Sequence, residues 1–283
     1  MPVSGVPLWK ISLEELIIKL NELIVVIKGA GEMASAAAWR IYRSNMHRIL
    51  MLETATPLAV RREVSFCEAV YDGSKQVEGV EAIRADNEDE TRAAWTQAKI
   101  AVVVDPAWKM LDCIKPDVVA DAILAKKNLG THIQEAPLVI GLGPGFIGGR
   151  DVHFVIETHR GHNLGRIISA GVADPNTGIP GSIGGYTKER VLWAPCDGKF
   201  ETRCAIGDRV KKGDRIGTVA ADPVRAQIDG VLRGLIRGST KVRAGLKIGD
   251  IDPRGDVNYC HTISDKARAI SGSVLEAILR VFN

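Results

Sequence analysis

Short, nearly continuous apolar runs recur through the first half of the chain, at 24–28, 49–52, 100–104, 118–120, 138–142 and 152–156. Their apolar positions do not alternate with polar ones, which is the pattern of strands covered on both faces. Helical or loop segments separate them, so the pattern predicts an α/β fold with an open, mostly parallel sheet. An alanine-rich stretch after the first run predicts a helix to about Tyr42. A short amphipathic helix is predicted over 12–23, with Ser12 as cap, Glu15 completing a capping box, and Ile17, Leu20 and Leu23 on one face. A further helix is predicted from Ser264 to the C-terminal end, its apolar face formed by Ala267, Ile270, Val274, Ala277, Ile278 and Val281.

Beyond Gly161 the pattern changes. Residues 171–186 are dense in Gly, Pro and Asn and read as a linker or ordered loop. A repeat follows, in which 194–219 and 226–251 match at a constant offset of 32. Ala194/Ala226, Asp197/Asp229, Gly198/Gly230, Val210/Val242, Gly213/Gly245, Ile216/Ile248 and Gly217/Gly249 are identical pairs. One unit used twice predicts two interlocked, pseudo-twofold halves made of short strands and tight turns. The predicted organisation is an extension at 1–23, a first domain at 24–170, a linker at 171–187, an all-β domain at 188–262 and a helix at 263–283.

Composition narrows this picture. Glycine is high, 29 of 283 residues, whereas aromatics make up only 5%. Glycine marks tight turns and places where backbone comes close to a ligand. A net charge of +3 and few aromatics speak against nucleic-acid binding. No apolar run approaches the ~18 residues needed to span a bilayer. Five scattered cysteines without a CxxC pair, behind a start that does not resemble a signal peptide, lead to an expectation of reduced thiols and a cytoplasmic protein.

Four constellations carry candidate chemistry. Gly29, Gly31 and Ala34 have the G-x-G-x-x-A spacing between a strand and a helix. That spacing permits a tight turn, close approach of a pyrophosphate and close helix packing, so the first domain reads as Rossmann-like. Glu53, at the end of the next strand, stands where a ribose-binding acid is expected. Glu32, at the helix start, would repel or replace a phosphate. Arg61 and Arg62 are candidate phosphate ligands. The second glycine-rich loop, with Gly143 and Gly145, follows a strand end and has the make-up of an anion nest. Lys126, Lys127, Asn128 and Thr131 belong to the same predicted edge. His153, Glu157, His159 and His162 cluster within ten residues. His153, Glu157 and His162 are the candidate acid/base or substrate-binding groups. Their spacing fits no metal motif, and Arg160 among them opposes a cation, so no metal is expected.

The pattern A-P-x-D-G followed by G-D-x-V-K-K-G-D-x-I-G resembles the barrel-sandwich hybrid of biotinyl and lipoyl carrier domains. The resemblance implies that fold. The hairpin at 220–225, where such carriers bear their lysine, has none, so neither biotin nor lipoate is expected.

Several stretches together resemble a family: VIKGAGEMA, RREVSFCEAVYDG, DAILAKKNLGT, GLGPGFIGGRDVHFVIETHRGHNLGR, NTGIPG and ISDKARAISGSVLEAIL. They are similar to the YqeB-like accessory proteins of selenium-dependent molybdenum hydroxylases, from about Ile24 to Leu279. The resemblance implies a role in hydroxylase maturation, loosely like that of XdhC-type factors. It further implies molybdopterin dinucleotide or another nucleotide as ligand, and a molybdenum hydroxylase or other cofactor-maturation proteins as partners. A homo-oligomer is compatible with it. Cys67 is the candidate for chalcogen handling. Two readings from the residues stay open beside it. One is an NAD(P)-dependent oxidoreductase, resting on the glycine turn and Glu53. The other is a non-catalytic scaffold that docks through the repeat domain.

Overall fold

The computed structural model describes residues 20–283. The predicted helix over 12–23, with its capping box, lies almost wholly outside the described residues, and Leu20–Glu22 form a 3-10 turn.

The first region is one nine-stranded sheet. Its strands are β1 (Ile24–Lys28), β2 (Arg48–Glu53), β3 (Ser74–Val77), β4 (Val80–Ala85), β5 (Ile100–Val104), β6 (Val118–Asp121), β7 (Leu138–Leu142), β8 (Phe154–Ile156) and β9 (Ile167–Ile168). They lie in the order β3-β4-β5-β2-β1-β6-β7-β8-β9. The strands from β4 to β8 along this order are parallel, and β3 and β9 pair antiparallel at the two edges. The apolar runs are thus the central parallel strands, buried on both faces as their lack of alternation requires. The edge strands carry no such run, β3 being largely polar and β9 only two residues long. From β1 the chain first builds outward to β2 and later crosses to β6 on the other side. The C-terminal ends of β1 and β6 therefore flank a topological switch point, where open α/β sheets leave a crevice.

Helix α1 (Glu32–Tyr42) buries Ala34, Ala36, Ala37 and Ala38 completely. These small side chains let the C-terminal helix lie close against it. The intervening helices are α2 (Ala69–Asp72), α3 (Glu88–Thr96), α4 (Met110–Ile114) and α5 (Asn258–His261). Helix α6 (Asp265–Phe282) is capped by Ser264, whose hydroxyl accepts the Ala267 N–H at 3.3 Å. Its buried face, with Ile270, Val274 and Ile278, joins the core of the first region. The chain end thus returns to the sheet it began from.

The second region consists of two four-stranded antiparallel sheets. One is β10-β17-β15-β12 and the other β14-β13-β11-β16. The strands are β10 (Val191–Trp193), β11 (Gly198–Thr202), β12 (Arg209–Val210), β13 (Arg215–Val219), β14 (Asp222–Arg225), β15 (Gly230–Leu235), β16 (Lys241–Val242) and β17 (Lys247–Asp252). The repeat is visible as exchanged hydrogen bonds. Asp197 Oδ1 accepts from Ala244 N at 2.7 Å, and Asp229 Oδ1 accepts from Lys212 N at 2.8 Å. Gly245 N donates to Ala194 O and Gly213 N to Ala226 O, both at 2.8 Å. Phe200 N donates to Thr240 O and Leu232 N to Asp208 O, both at 2.9 Å. In each pair the second bond is the first carried across by the repeat offset, with donor and acceptor on opposite halves. Each half pairs its own two longer strands, β11 with β13 and β15 with β17, and lends a short strand to the other half's sheet, β12 to β15 and β16 to β11.

Candidate functional site

The two regions meet around a cavity of about 850 Å³, within the ~300–1,000 Å³ usual for ligand sites. One wall is the C-terminal edge of the parallel sheet, with Glu32 and Met33 after β1, Lys126 after β6, Pro144 after β7 and Thr158–Arg160 after β8. The facing wall comes from the second region: Arg190, Arg233, Lys247 and Asp250. Residues 174–183 form a third side, and Ser264 and Lys266 at the start of α6 a fourth. Seven Lys and Arg side chains face three carboxylates on this lining.

The charges are organised around Asp250, which is 1% exposed. Its Oδ1 accepts from Arg190, and its Oδ2 accepts from Arg233 Nε at 2.8 Å. Lys247 Nζ stands 3.6 Å from the same carboxylate. Burial alone would raise the Asp250 pKa, but Lys247, Arg233 and Arg190 together hold it below the ordinary value. Lys247 itself is pushed below the usual lysine range, by burial first and by the neighbouring arginines next. Lys266 is pushed down by burial, Arg160 and Lys247, and no hydrogen bond to a carboxylate offsets this.

Arg61 is 5% exposed and braces the floor of the cavity. Its Nη2 donates to the carbonyls of Tyr259 (2.8 Å) and Thr262 (3.0 Å), and its Nη1 lies 3.3 Å from Glu32 Oε1. Its buried Nε–H has no acceptor. Glu32 Oε1 also accepts from Ser264 Oγ at 2.9 Å, so this carboxylate stands between the starts of α1 and α6.

Of the other residues singled out by sequence, several are held by their own chain. Gly29, with φ +89°, packs against the backbone of Ile123, whose Cα is 3.3 Å from where a Cβ would stand. Ala30 N donates to Glu53 Oε2 and Thr54 N to Glu53 Oε1, at 2.8 and 2.7 Å. Glu53 thus fastens the glycine turn to the end of β2. Gly31 faces open space. Ala34 is wholly buried in helix packing. Gly143 and Gly145, at φ +79° and +119°, lie at the same sheet edge as the first turn, pressed against Thr158 Oγ1 and the Lys127 backbone. Asn128 closes its own loop, accepting from Gly130 N and Thr131 N at 2.8 Å. Arg62 turns to the second region, donating to Leu235 O at 2.8 Å.

The histidine cluster is dispersed. His153 stands at the N-terminal end of β8, away from the cavity, and its Nδ1 accepts from Val139 N at 2.9 Å. Burial holds its pKa below the ordinary histidine value. Glu157 is buried, its two oxygens accepting from His159 N at 2.6 Å and Asp174 N at 2.7 Å. It is a clamp that ties β8 to the 174–183 segment. His162 is exposed and off the lining, whereas His159 is on it. Among the described residues, no group of three or more His, Cys, Asp or Glu is arranged to hold a metal. Cys67 is buried, and burial followed by Glu53 and Glu68 pushes its pKa well above the ordinary thiol value. It is a packed thiol without the thiolate character chalcogen handling requires.

Arg190, Arg233, Lys247 and Asp250 belong to no site motif, and Lys266 lies in the family stretch ISDKARAISGSVLEAIL without standing out there as a site residue. The available signal was charge inside otherwise apolar strands. Arg233 sits in GVLRGL and Asp250 in KIGDID, and both are buried.

No protein-family model matches the chain. A relative from Escherichia coli K12, described as uncharacterized protein YqeB, is 46% identical over 260 residues and covers 92% of this chain. The chain is YqeB-like over most of its length. It spans 48% of that relative. Among solved structures, similarity extends to TcdA (CsdL), at 11% identity, 95% and 91% coverage of the two chains and a TM-score of 0.30. An aspartoacylase family protein of Mesorhizobium loti gives 14%, 81% and 84%, and 0.26. Scores this low assign neither fold nor chemistry. Among the described residues no helix is long and apolar enough to cross a membrane.

Proposed function

We propose that this YqeB-like chain is a cytoplasmic accessory factor in the maturation of a selenium-dependent molybdenum hydroxylase. In this reading the cavity holds a phosphate-bearing ligand, a molybdopterin dinucleotide or another nucleotide. The observation that carries it is the surplus of positive charge on a cavity at the C-terminal edge of a parallel sheet. The pathway comes from the family resemblance of the motifs alone, and the similarity to YqeB supports membership of that family. The parallel sheet is read as Rossmann-like, and the two antiparallel sheets with exchanged repeat halves as a barrel-sandwich hybrid.

The residues present fit the anionic part of such a group. A buried guanidinium N–H without an acceptor and two lysines with lowered pKa lie on one lining. Arg61, Lys247 and Lys266 would hold phosphate, with Lys126 and Arg160 beyond them. When bound, the cofactor supplies the metal- and chalcogen-bearing chemistry. Glu157 and Glu53 position the loops around it. The second-region wall would both close the site and present it to the hydroxylase.

Cells lacking this chain should accumulate inactive hydroxylase, and the wild-type chain should restore activity. Full hydroxylase activity without it contradicts the proposal. Thermal-shift titration separates the oxidoreductase reading: stabilisation by NAD(H) or NADP(H), with none by molybdopterin dinucleotide, would favour that rival. Engagement of Glu53 by Ala30 N and Thr54 N leaves the rival without its expected ribose acid.

A further inference from the structure

The geometry points to Lys247, Lys266 and the Nε of Arg61, and not the glycine turn, as the group that binds a phosphate-type oxyanion in this cavity. The inference rests on the proposal that the cavity holds a phosphate-bearing ligand, and it names the part of the lining that recognises it.

The glycine turn has spent much of its capacity. Gly29 N donates to Leu52 O at 2.7 Å and Ala30 N to Glu53 at 2.8 Å. The start of α1 has its own carboxylate, Glu32, held there by Ser264 at 2.9 Å and Arg61 at 3.3 Å. A second negative group at that helix start would meet Glu32 directly. Gly31 stays open, which gives the competing location a clear test.

The other wall has the opposite imbalance. Arg190, Arg233 and Lys247 converge on Asp250, and of the three only Arg233 has a further carboxylate, Asp252 at 3.2 Å. Lys266 projects from the first turn of α6 and has no ion-pair partner among the described residues. Desolvated like charges held together cost free energy unless an anion joins them. The orphan Nε–H of Arg61 is an independent sign of a missing acceptor, since buried donors are almost always paired. An oxyanion with several acceptor oxygens offers an acceptor to each of these groups, which line the same cavity.

Calorimetric titration of the full chain with inorganic pyrophosphate, orthophosphate and NAD distinguishes free phosphate from diphosphate and from a dinucleotide. Lys247→Met and Lys266→Met should each weaken pyrophosphate binding about tenfold or more. Lys266→Arg should bind within a few-fold of wild type, and Gly31→Ala should bind like wild type. Without ligand Lys266→Met should unfold at the same temperature as wild type or higher, because Lys266 has no ion-pair partner among the described residues. Lys247→Met removes a partner of Asp250 and should unfold at or slightly below wild type. Four results would overturn the inference: no pyrophosphate binding by wild type, undiminished binding by both Met variants, loss of binding in Gly31→Ala with the lysine variants intact, or Lys266→Met unfolding well below wild type. The outcomes separate from those of the functional proposal. Lost anion binding with hydroxylase maturation intact breaks the reading that the cavity ligand serves maturation, and leaves the lysine assignment standing. Dinucleotide binding retained by both Met variants breaks the lysine assignment alone.

Discussion

The two walls of the cavity differ in how their polar groups are used. On the sheet-edge side several groups named by motif lie off the lining and are paired within the chain: Glu53 with two backbone amides, Glu157 with two more, Asn128 with its own loop. On the second-region wall and the start of α6, cations outnumber their partners. The contrast shows that a recognisable nucleotide-type turn can serve as architecture. The unbalanced charge that would attract a ligand arises where two regions close on each other.

The largest expected effect tests the pivot of the charged wall. Asp250→Asn leaves buried Arg190 without its carboxylate and Arg233 with Asp252 alone, and should cost about 3–5 kcal/mol in denaturant unfolding. A loss under ~1 kcal/mol would show the wall to be less dependent on that carboxylate than its burial implies. The same groups set the acid limb. Asp250, Asp252 and Asp265 have folded pKa values below the ordinary 3.8. Their contribution is therefore fully present above 3.8 and is lost as pH falls through the lowered values. Unfolding midpoints measured across pH 5 to about 2 should fall in wild type and fall less steeply in Asp250→Asn.

The glycines give a smaller, sharper contrast. Gly145→Ala places a Cβ 2.7 Å from Lys127 backbone at φ +119° and should cost about 1–3 kcal/mol. Gly31→Ala enters open space at φ −73° and should change stability by well under ~1 kcal/mol. Equal costs would erase the distinction between a packed turn and an open one. The smallest effect concerns Glu32. Glu32→Gln removes a negative charge beside the cationic cluster and should tighten pyrophosphate binding by about two- to tenfold in calorimetry. Weaker binding in that variant would mean that Glu32 orients Arg61 for the ligand, with any repulsion outweighed.

Much of the fold could be read from sequence because continuous apolar runs and a constant repeat offset are one-dimensional signals. The repeat matches became exchanged bonds such as Asp197 to Ala244 and Asp229 to Lys212. The antiparallel edges β3 and β9 were not legible: one is polar and the other only two residues long. At the site, sequence located the sheet edge and Arg61 and Lys126 on it. It grouped His153 with Glu157 by their closeness along the chain. Yet His153 stands at the far end of its strand, bonded to Val139. The second-region cations were illegible because their neighbours are set by long-range closure. Arg190 and Asp250, for example, are paired across 60 residues.

The most direct test is a crystal structure of the full chain with pyrophosphate bound. The anion is expected against Lys247 and Lys266, accepting the Nε–H of Arg61, with Glu32 still held by Ser264. Pyrophosphate seated on the amides at Gly31 and the start of α1, with both lysines turned away, would contradict the account.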